Sequence, residues 1–331
     1  MKYCAPQRKD QKVCAAGLYV FSPRKLVTLI MRYAYKVILV FITGTVPCKE
    51  VYMIIDTHAH YHAEQFDTDR EALLASLEPA GIGEVIDIAA EADSLDRVME
   101  LARKYPFIYA AVGLHPDEVG DLDEKTMAKI REYLTDVKTV AVGEIGLDYY
   151  WNKESRDLQV ACFKKQISLA LEYDKPVVIH SREAAADTLE VVSGMYGAGS
   201  PWEMKYGKTP AGKIPRKGVM HCYSYSPEQA RIYTEKLGFF LGIGGVVTFK
   251  NGKKLKEVVR ETPLDYLLLE TDSPYLAPVP YRGKRNSSLY LPCVVQEIAK
   301  IKGVAPEEVE RVTERNARYL FGLEPMDVSG R

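Results

Sequence analysis

The chain of 331 residues has almost no net charge: 44 lysines and arginines face 45 aspartates and glutamates, leaving −1. That excludes a global basic field, so any polyanion must be held by local charge. Cysteine is sparse as well. The six thiols, Cys4, Cys14, Cys48, Cys162, Cys222 and Cys293, form no CxxC pair and no regular framework. A disulfide scaffold is therefore disfavoured, and reduced thiols in a cytoplasmic protein are expected. No internal repeat or low-complexity tract is present. One long apolar run exists, LVTLIMRYAYKVILVFIT at 26–43, and it contains Arg32 and Lys36. Each would cost roughly 2.5–3.5 kcal/mol at the centre of a membrane helix. No A-x-A-like cleavage site follows it, which argues against a signal peptide.

The run lies in an N-terminal stretch unlike the remainder. Residues 49–53, Lys-Glu-Val-Tyr-Met, can be back-translated into a purine-rich ribosome-binding site followed by a start codon. Residues 1–52 are accordingly expected to be a translated leader, with the working protein beginning at Met53. A membrane anchor is the next reading if they are retained. Residues 53–323 are expected to form one domain and 324–331 a tail.

What is present after Met53 is a rhythm. Apolar residues make up 47% of the chain and charged residues 27%, enough for a proper core. Short β-branched runs begin at 53, 83, 108, 139, 175, 218, 239 and 266, and amphipathic stretches separate them. In SLDRVMELARKY, Leu95, Val98, Leu101 and Ala102 fall at helical spacing. In SPEQARIYTEKLG, Ser226 is an N-cap, Pro227 is N1 and Gln229 is N3, with Gly238 after the last turn. Eight strands each followed by a helix predict an α/β fold, a closed (β/α)8 TIM barrel. The last helical region should break at Gly303 and Pro306. Residues 193–217, rich in Gly, Pro and Lys, are expected to be a surface loop.

The strands end in polar residues where a buried strand should end in apolar ones. Three of the six histidines, His58, His60 and His62, fall within five positions after the first run. His115, Glu144, His180, His221 and Asp272 end later runs, at the face where such barrels place their active sites. Alternation along the first strand would point Asp56, His58 and His60 the same way. A single such residue is more often a satisfied polar group than a ligand. Four imidazoles and two carboxylates together would leave many unpaired polar groups unless a cation joined them. Six donors (His58, His60, Glu144, His180, His221, Asp272) exceed the needs of one catalytic cation and suit two. Nitrogen and carboxylate donors suit Zn, Mn, Fe or Co.

The motifs "DTHAH", "GLHP", "GEIGLDYY", "VIHSR", "HCYS", "GGVVTFKN" and "LLLETDSPYLAPVPYRGKRN" occur in order over residues 53–322. In this the chain resembles the TatD-type metal-dependent hydrolases, a family of barrel deoxyribonucleases. The resemblance implies a barrel of the metal-dependent hydrolase type binding two divalent cations, Mg, Mn or Zn. It implies that His58, His60 and Asp272 bind one cation, that His180 and His221 bind the other, and that Glu144 bridges them. Relatives with a modified lysine bridge are disfavoured, because strand four offers no lysine. Three departures stand out: His62 where an acidic or amide residue is common, Tyr225 where a glycine is usual, and a longer 193–217 segment.

The expected reaction is hydrolysis of a phosphodiester in DNA or RNA, with single strands trimmed from an end. Two cations about 3.5–4 Å apart would clamp the attacking and leaving oxygens. Asp272 is the expected proton acceptor. Arg182, two residues after His180, is expected to hold a phosphate oxygen; its plainer alternative is an ion pair with Glu183 or Asp148. His115 is expected to orient phosphate or to donate a proton to the leaving oxygen; a turn contact before Pro116 is the alternative. Tyr223 is weighed evenly between stacking on a base and ordinary packing. Asp56 and Asp148 are expected to orient ligand imidazoles, and His62 is placed at the rim. Arg282 and Arg285, with Lys284, are read as contacts to a phosphate backbone, whereas Lys250, Lys253 and Lys254 are read as a solvated helix face. Two competing functions keep the site: hydrolysis of an ester such as a D-aminoacyl-tRNA or of a small-molecule amide, and a catalytically silent metal-binding scaffold.

Overall fold

The computed structural model describes residues 52–151 and 153–324; the leader reading and the tail beyond Glu324 lie outside them. Eight strands make one parallel sheet in chain order. They are β1 (Ile54–Ala59), β2 (Ile82–Ile88), β3 (Ile108–Val112), β4 (Thr139–Asp148), β5 (Val177–Arg182), β6 (Gly218–Met220), β7 (Phe240–Ile243) and β8 (Leu267–Leu269). A parallel bridge between Ala59 and Ser273 joins the first strand to the segment after the last. His60 N–H donates to Ser273 O at 2.8 Å and Asp272 N–H to His58 O at 2.9 Å. The sheet thus closes into a barrel at its C-terminal rim.

The helices after the first five strands are α1 (Arg70–Ala75), α2 (Ser94–Lys104), α3 (Glu124–Leu134), α4 (Arg156–Glu172) and α5 (Ala185–Tyr196). A short α6 (Pro201–Tyr206) follows, then α7 (Pro227–Arg231), α8 (Lys253–Glu261), α9 (Leu291–Lys302) and α10 (Pro306–Phe321). Gly303 at φ +69° ends α9 and Pro306 starts α10, which is the expected break. Segment 193–217 is not all loop: Ser200 Oγ caps α6 by accepting Glu203 N–H at 3.2 Å, and Trp202 of that helix is buried. Ser226 caps α7 as its spacing predicts, but the Gln229 side chain donates to Ala185 O across the helix layer.

The core has two parts. One cluster holds an inward residue from every strand, among them Ile55, Ala111, Val178 and Leu268, together with Leu320 and Phe321 of α10, which plug the barrel floor. The other lies between the strands and the helices. β1 crosses between them: Ile55 belongs to the inner cluster, but Ala59 and Tyr61 belong to the outer one. Strict alternation would put all three on one face. The register of β1 against β2 slips between Asp56 and Ala59, and such a slip exchanges the faces. His58 and His60 then point into the mouth, and Asp56 does not accompany them. Among the described residues no helix is long and apolar enough to cross a membrane.

Candidate metal centre

The polar strand ends converge as the barrel closes. Glu144 stands at the centre, with its two carboxylate oxygens serving different histidine pairs. Oε2 faces His58 Nε2 at 3.3 Å and His60 Nε2 at 3.9 Å. Oε1 faces His180 Nδ1 at 2.8 Å and His221 Nε2 at 3.8 Å. Asp272 Oδ1 closes the group at 3.6 Å from His60, 3.8 Å from His221 and 4.0 Å from His58. His58 and His60 bring their Nε2 atoms within 3.2 Å of each other, and the His58 and His221 rings stack at 3.5 Å.

Hydrogen bonds fix which ring nitrogens point inward. His60 Nδ1 meets Ile88 O at 2.8 Å, so that nitrogen carries the proton and Nε2 presents its lone pair. His221 Nδ1 meets Glu270 Oε2 at 3.2 Å, with the same result. Asp148 Oδ2 meets His180 Nε2 at 3.1 Å, leaving Nδ1 toward Glu144. A ligand histidine is usually held this way through its other nitrogen. These inward nitrogens and carboxylate oxygens fit divalent cations, and three of the donors (His58, His60, Glu144) lie within 4.8 Å of one another.

Protons occupy part of that role in the protein by itself. Burial disfavours a charged His180, but its hydrogen bonds to Asp148 and Glu144 win and push it up to about 9. His221 is likewise pushed up to about 10, the charges of Glu270 and Glu144 outweighing burial. Glu144 is held well below the usual carboxylate range: burial works against this, but the charges of His58 and His221 prevail. Asp272 is also lowered against burial, by its hydrogen bond to His60 and the nearby imidazole charges.

Two of these donors sit beyond the regular strands. β6 ends at Met220 and β8 at Leu269, so His221 and Asp272 are carried by loops. Cys222 and Asp272 adopt φ of +44° and +57°, a conformation that costs a non-glycine residue about 1–3 kcal/mol. Asp56 helps to hold the second of these loops. Its carboxylate accepts Thr271 N–H at 3.0 Å, Thr271 Oγ1–H at 2.7 Å and Ser288 Oγ–H at 2.6 Å. Burial nonetheless pushes Asp56 up to about 7. It therefore positions the Asp272 loop and the His58 backbone, whereas the expected contact to an imidazole is made by Asp148 alone of the two.

A family model described as "TatD related DNase" matches residues 55–322. The chain belongs to the TatD family. It is 41% identical over 271 residues to YabD of Bacillus subtilis, covering 82% of this chain and 100% of that one. It is 33% identical over 274 residues to YcfH of Escherichia coli, covering 82% and 96%. Both bear the description uncharacterised metal-dependent hydrolase. The crystal structure of the E. coli TatD homologue YjjV superposes with a TM-score of 0.72 at 31% identity, covering 82% of this chain and 98% of that one.

Around the TatD-type cluster opens a cavity of about 1040 Å³ lined by His62, His115, Trp151, Arg182 and Tyr275, among others. His115 packs against His180 with ring centroids 4.4 Å apart. Its Nδ1 accepts Asp117 N–H at 3.2 Å, the turn contact anticipated as its alternative. Burial, reinforced by the His180 charge, pushes His115 down to about 4. Arg182 is exposed at the lip, and among the described residues no carboxylate pairs with it. His62 lines the cavity as a largely buried side chain, with Nδ1 3.1 Å from Asp87 Oδ2.

Several expected substrate contacts lie elsewhere. Tyr223 is 3% exposed and belongs to the outer core, its hydroxyl donating to Ser226 O at 2.8 Å. It presents no face to a base. Tyr225, the residue found where a glycine is usual, does not line the cavity; its hydroxyl meets Ser181 Oγ at 2.9 Å. Arg285 clamps both carboxylate oxygens of Asp69 at 2.8 and 2.6 Å and lies over Phe66. Arg282 lies 4.4 Å over the Phe249 ring, and neither arginine lines the cavity. Lys250, Lys253 and Lys254 are exposed around the start of α8. Sequence reasoning missed Glu270 and Asp87. A glutamate inside the apolar run LLLE was the available signal for the first.

Proposed function

We propose that this protein hydrolyses phosphodiesters in single-stranded nucleic acid with two divalent cations. One observation carries the reading: Glu144 divides its oxygens between the pair His58 and His60 and the pair His180 and His221. A carboxylate so placed would bridge two cations, with Asp272 completing the first set. When bound, the cations would supply electrophilic activation of the phosphate and acidify the attacking water.

The chain's own groups account for the remainder. Asp272 is ionised at neutral pH and reaches the cluster's edge, so its carboxylate takes the proton of the attacking water. Arg182 offers its guanidinium fork to a non-bridging oxygen. His115 is neutral near pH 7, and accepting Asp117 N–H at Nδ1 places its proton on Nε2. It thus donates a hydrogen bond to the phosphate or to the leaving oxygen, rather than serving as an imidazolium acid. Asp148 and Glu270 hold two imidazoles in the tautomers that the cluster needs.

The test is turnover of defined single-stranded DNA and RNA by the purified chain with Mg²⁺, Mn²⁺ or Zn²⁺, alongside measured metal content. Release of mononucleotides with two cations bound is expected. No release with any of the metals, together with rapid hydrolysis of an aminoacyl ester, would replace this reading by the ester-hydrolase one.

A further inference from the structure

We infer that Trp151, braced by the perpendicular ring of Tyr150, is a platform on which a nucleobase stacks, next to the phosphate held by Arg182. The inference rests on the nucleic-acid reading above. Trp151 is 67% exposed and Tyr150 is 50% exposed. Single exposed apolar residues need no explanation. Here two aromatic rings stand side by side, perpendicular and 4.6 Å apart. Arg182 lies 3.9 Å from the Tyr150 ring centroid and 5.5 Å from that of Trp151. Both Trp151 and Arg182 line the cavity that contains the candidate metal cluster.

The platform is tied to the cluster. Asp148 Oδ1 accepts the N–H groups of Tyr150 and Trp151 at 2.8 and 3.2 Å, and its Oδ2 meets His180. Gln159 holds the Asp148 backbone from both sides, donating to its carbonyl at 2.9 Å and accepting its N–H at 2.8 Å. Tyr149 N–H donates to Arg182 O at 2.9 Å, so the arginine shares the same anchor. One carboxylate therefore sets the height of the rings relative to a ligand histidine.

Flat apolar faces beside a single cation match the parts of a nucleotide. Stacking Arg182 on Tyr150 keeps the guanidinium plane fixed and leaves its edge free for phosphate. The outer face of Trp151 remains for a base. Stacking of this kind tolerates any base and requires it to be unpaired, so single strands are preferred over duplexes. Tyr275 and Leu276, 54% and 39% exposed, line the same cavity from the β8 side and give the strand a second apolar wall.

Trp151 also provides the readout, because Trp202, the other tryptophan, is buried beneath Lys217. The full chain with Mg²⁺ is titrated with a single-stranded phosphorothioate oligonucleotide and with an abasic strand of equal length, following tryptophan emission and affinity. The base-bearing strand should quench Trp151, and the abasic strand should not. Trp151→Ala should weaken the base-bearing strand about five- to a hundredfold and leave the abasic strand unchanged, while Trp151→Phe should keep most of the affinity. Equal weakening of both strands, or no weakening of either, would overturn the platform. If the wild-type chain cuts single strands but Trp151→Ala keeps its KM, the platform alone fails. If no strand is cut with any metal, the nuclease reading fails and the platform with it.

Discussion

Replacing Glu270 by Gln leaves a group with one acceptor where two donors converge. Glu270 Oε2 meets His221 Nδ1–H at 3.2 Å, and Oε1 accepts Cys222 N–H at 2.6 Å. The amide can satisfy one and must turn its own N–H₂ toward the other. An unsatisfied buried donor costs about 1–3 kcal/mol, and loss of such an outer partner typically lowers metal affinity about 10–100-fold. The lost charge acts in two directions. Glu270 is the largest of the charges that raise His221 against burial, so Gln eases removal of the competing proton. A divalent cation feels the missing charge about twice as strongly as a proton does, so the net effect is weaker metal binding. Gly242 offers an independent route to the same perturbation. A Cβ at that position would stand 2.0 Å from Glu270 Oε2 and 2.5 Å from its Cδ. Gly242→Ala therefore displaces the carboxylate without removing it. Metal titration of the full chain by calorimetry should show Glu270→Gln and Gly242→Ala each weakening the site that includes His221. The double variant should be little worse than either, because both act on one contact. Wild-type affinity in Glu270→Gln, or additive losses in the double variant, would refute the reasoning.

Glu144→Gln should bring turnover to background and remove at least one cation per chain by elemental analysis, since an amide cannot bridge as a carboxylate does; full metal content with full activity would contradict the bridge. Arg182→Ala should lower kcat/KM on oligonucleotides about ten- to a hundredfold, the worth of a charge-assisted hydrogen bond; an unchanged value would remove Arg182 from the phosphate position. Arg285→Ala should leave kcat/KM within about twofold and barely change stability by urea unfolding, because its partner Asp69 is exposed; a large loss of activity would return Arg285 to the substrate path. In the metal-free chain His180 and His221 stand raised at about 9 and about 10, against about 6.5 unfolded. The stability they contribute is fully present below pH 6.5 and is lost as pH rises through 9 to 10. Cation uptake has the opposite trend, since it must expel those protons; metal affinity should rise from pH 6.5 to 9 with measurable proton release, and a flat profile would refute this.

The barrel was legible because its signal is periodic and redundant. Eight β-branched runs, the break at Gly303 and Pro306, and the Ser226 cap each follow from local chemistry, and the tertiary fold agrees with them. The donor set was legible for a related reason: a histidine or carboxylate ending an otherwise apolar run contradicts its surroundings and so marks itself. Asp56 shows where this reasoning stops. Alternation placed it with His58 and His60, but the register slip between Asp56 and Ala59 depends on how β1 pairs with β2, not on the residues of β1 alone. The 193–217 segment fails differently, because a helix as short as α6 is stabilised by burying Trp202 rather than by its own propensity.

Aromatic residues near the mouth were the least legible, and the reason is general to this site. Tyr223 lies two residues past His221 and Trp151 three past Asp148, and nothing in their neighbours separates them. At Tyr223 the chain has just passed Cys222 at φ +44°, and the ring turns back into the outer core. At Trp151 the chain has just wrapped around the Asp148 carboxylate, and the ring is left standing at the lip. The choice between a packed ring and a stacking face thus rests on one backbone turn in each case. With Tyr223 packed away, the proposed stacking face lies not above β6 but between the Asp148 turn and the Asp272 loop. There the Asp148 carboxylate ties the Tyr150–Trp151 turn to His180, and the adjoining Tyr149 N–H holds the Arg182 carbonyl, so under the proposed roles a change at Asp148 should disturb base stacking, phosphate contact and metal binding together.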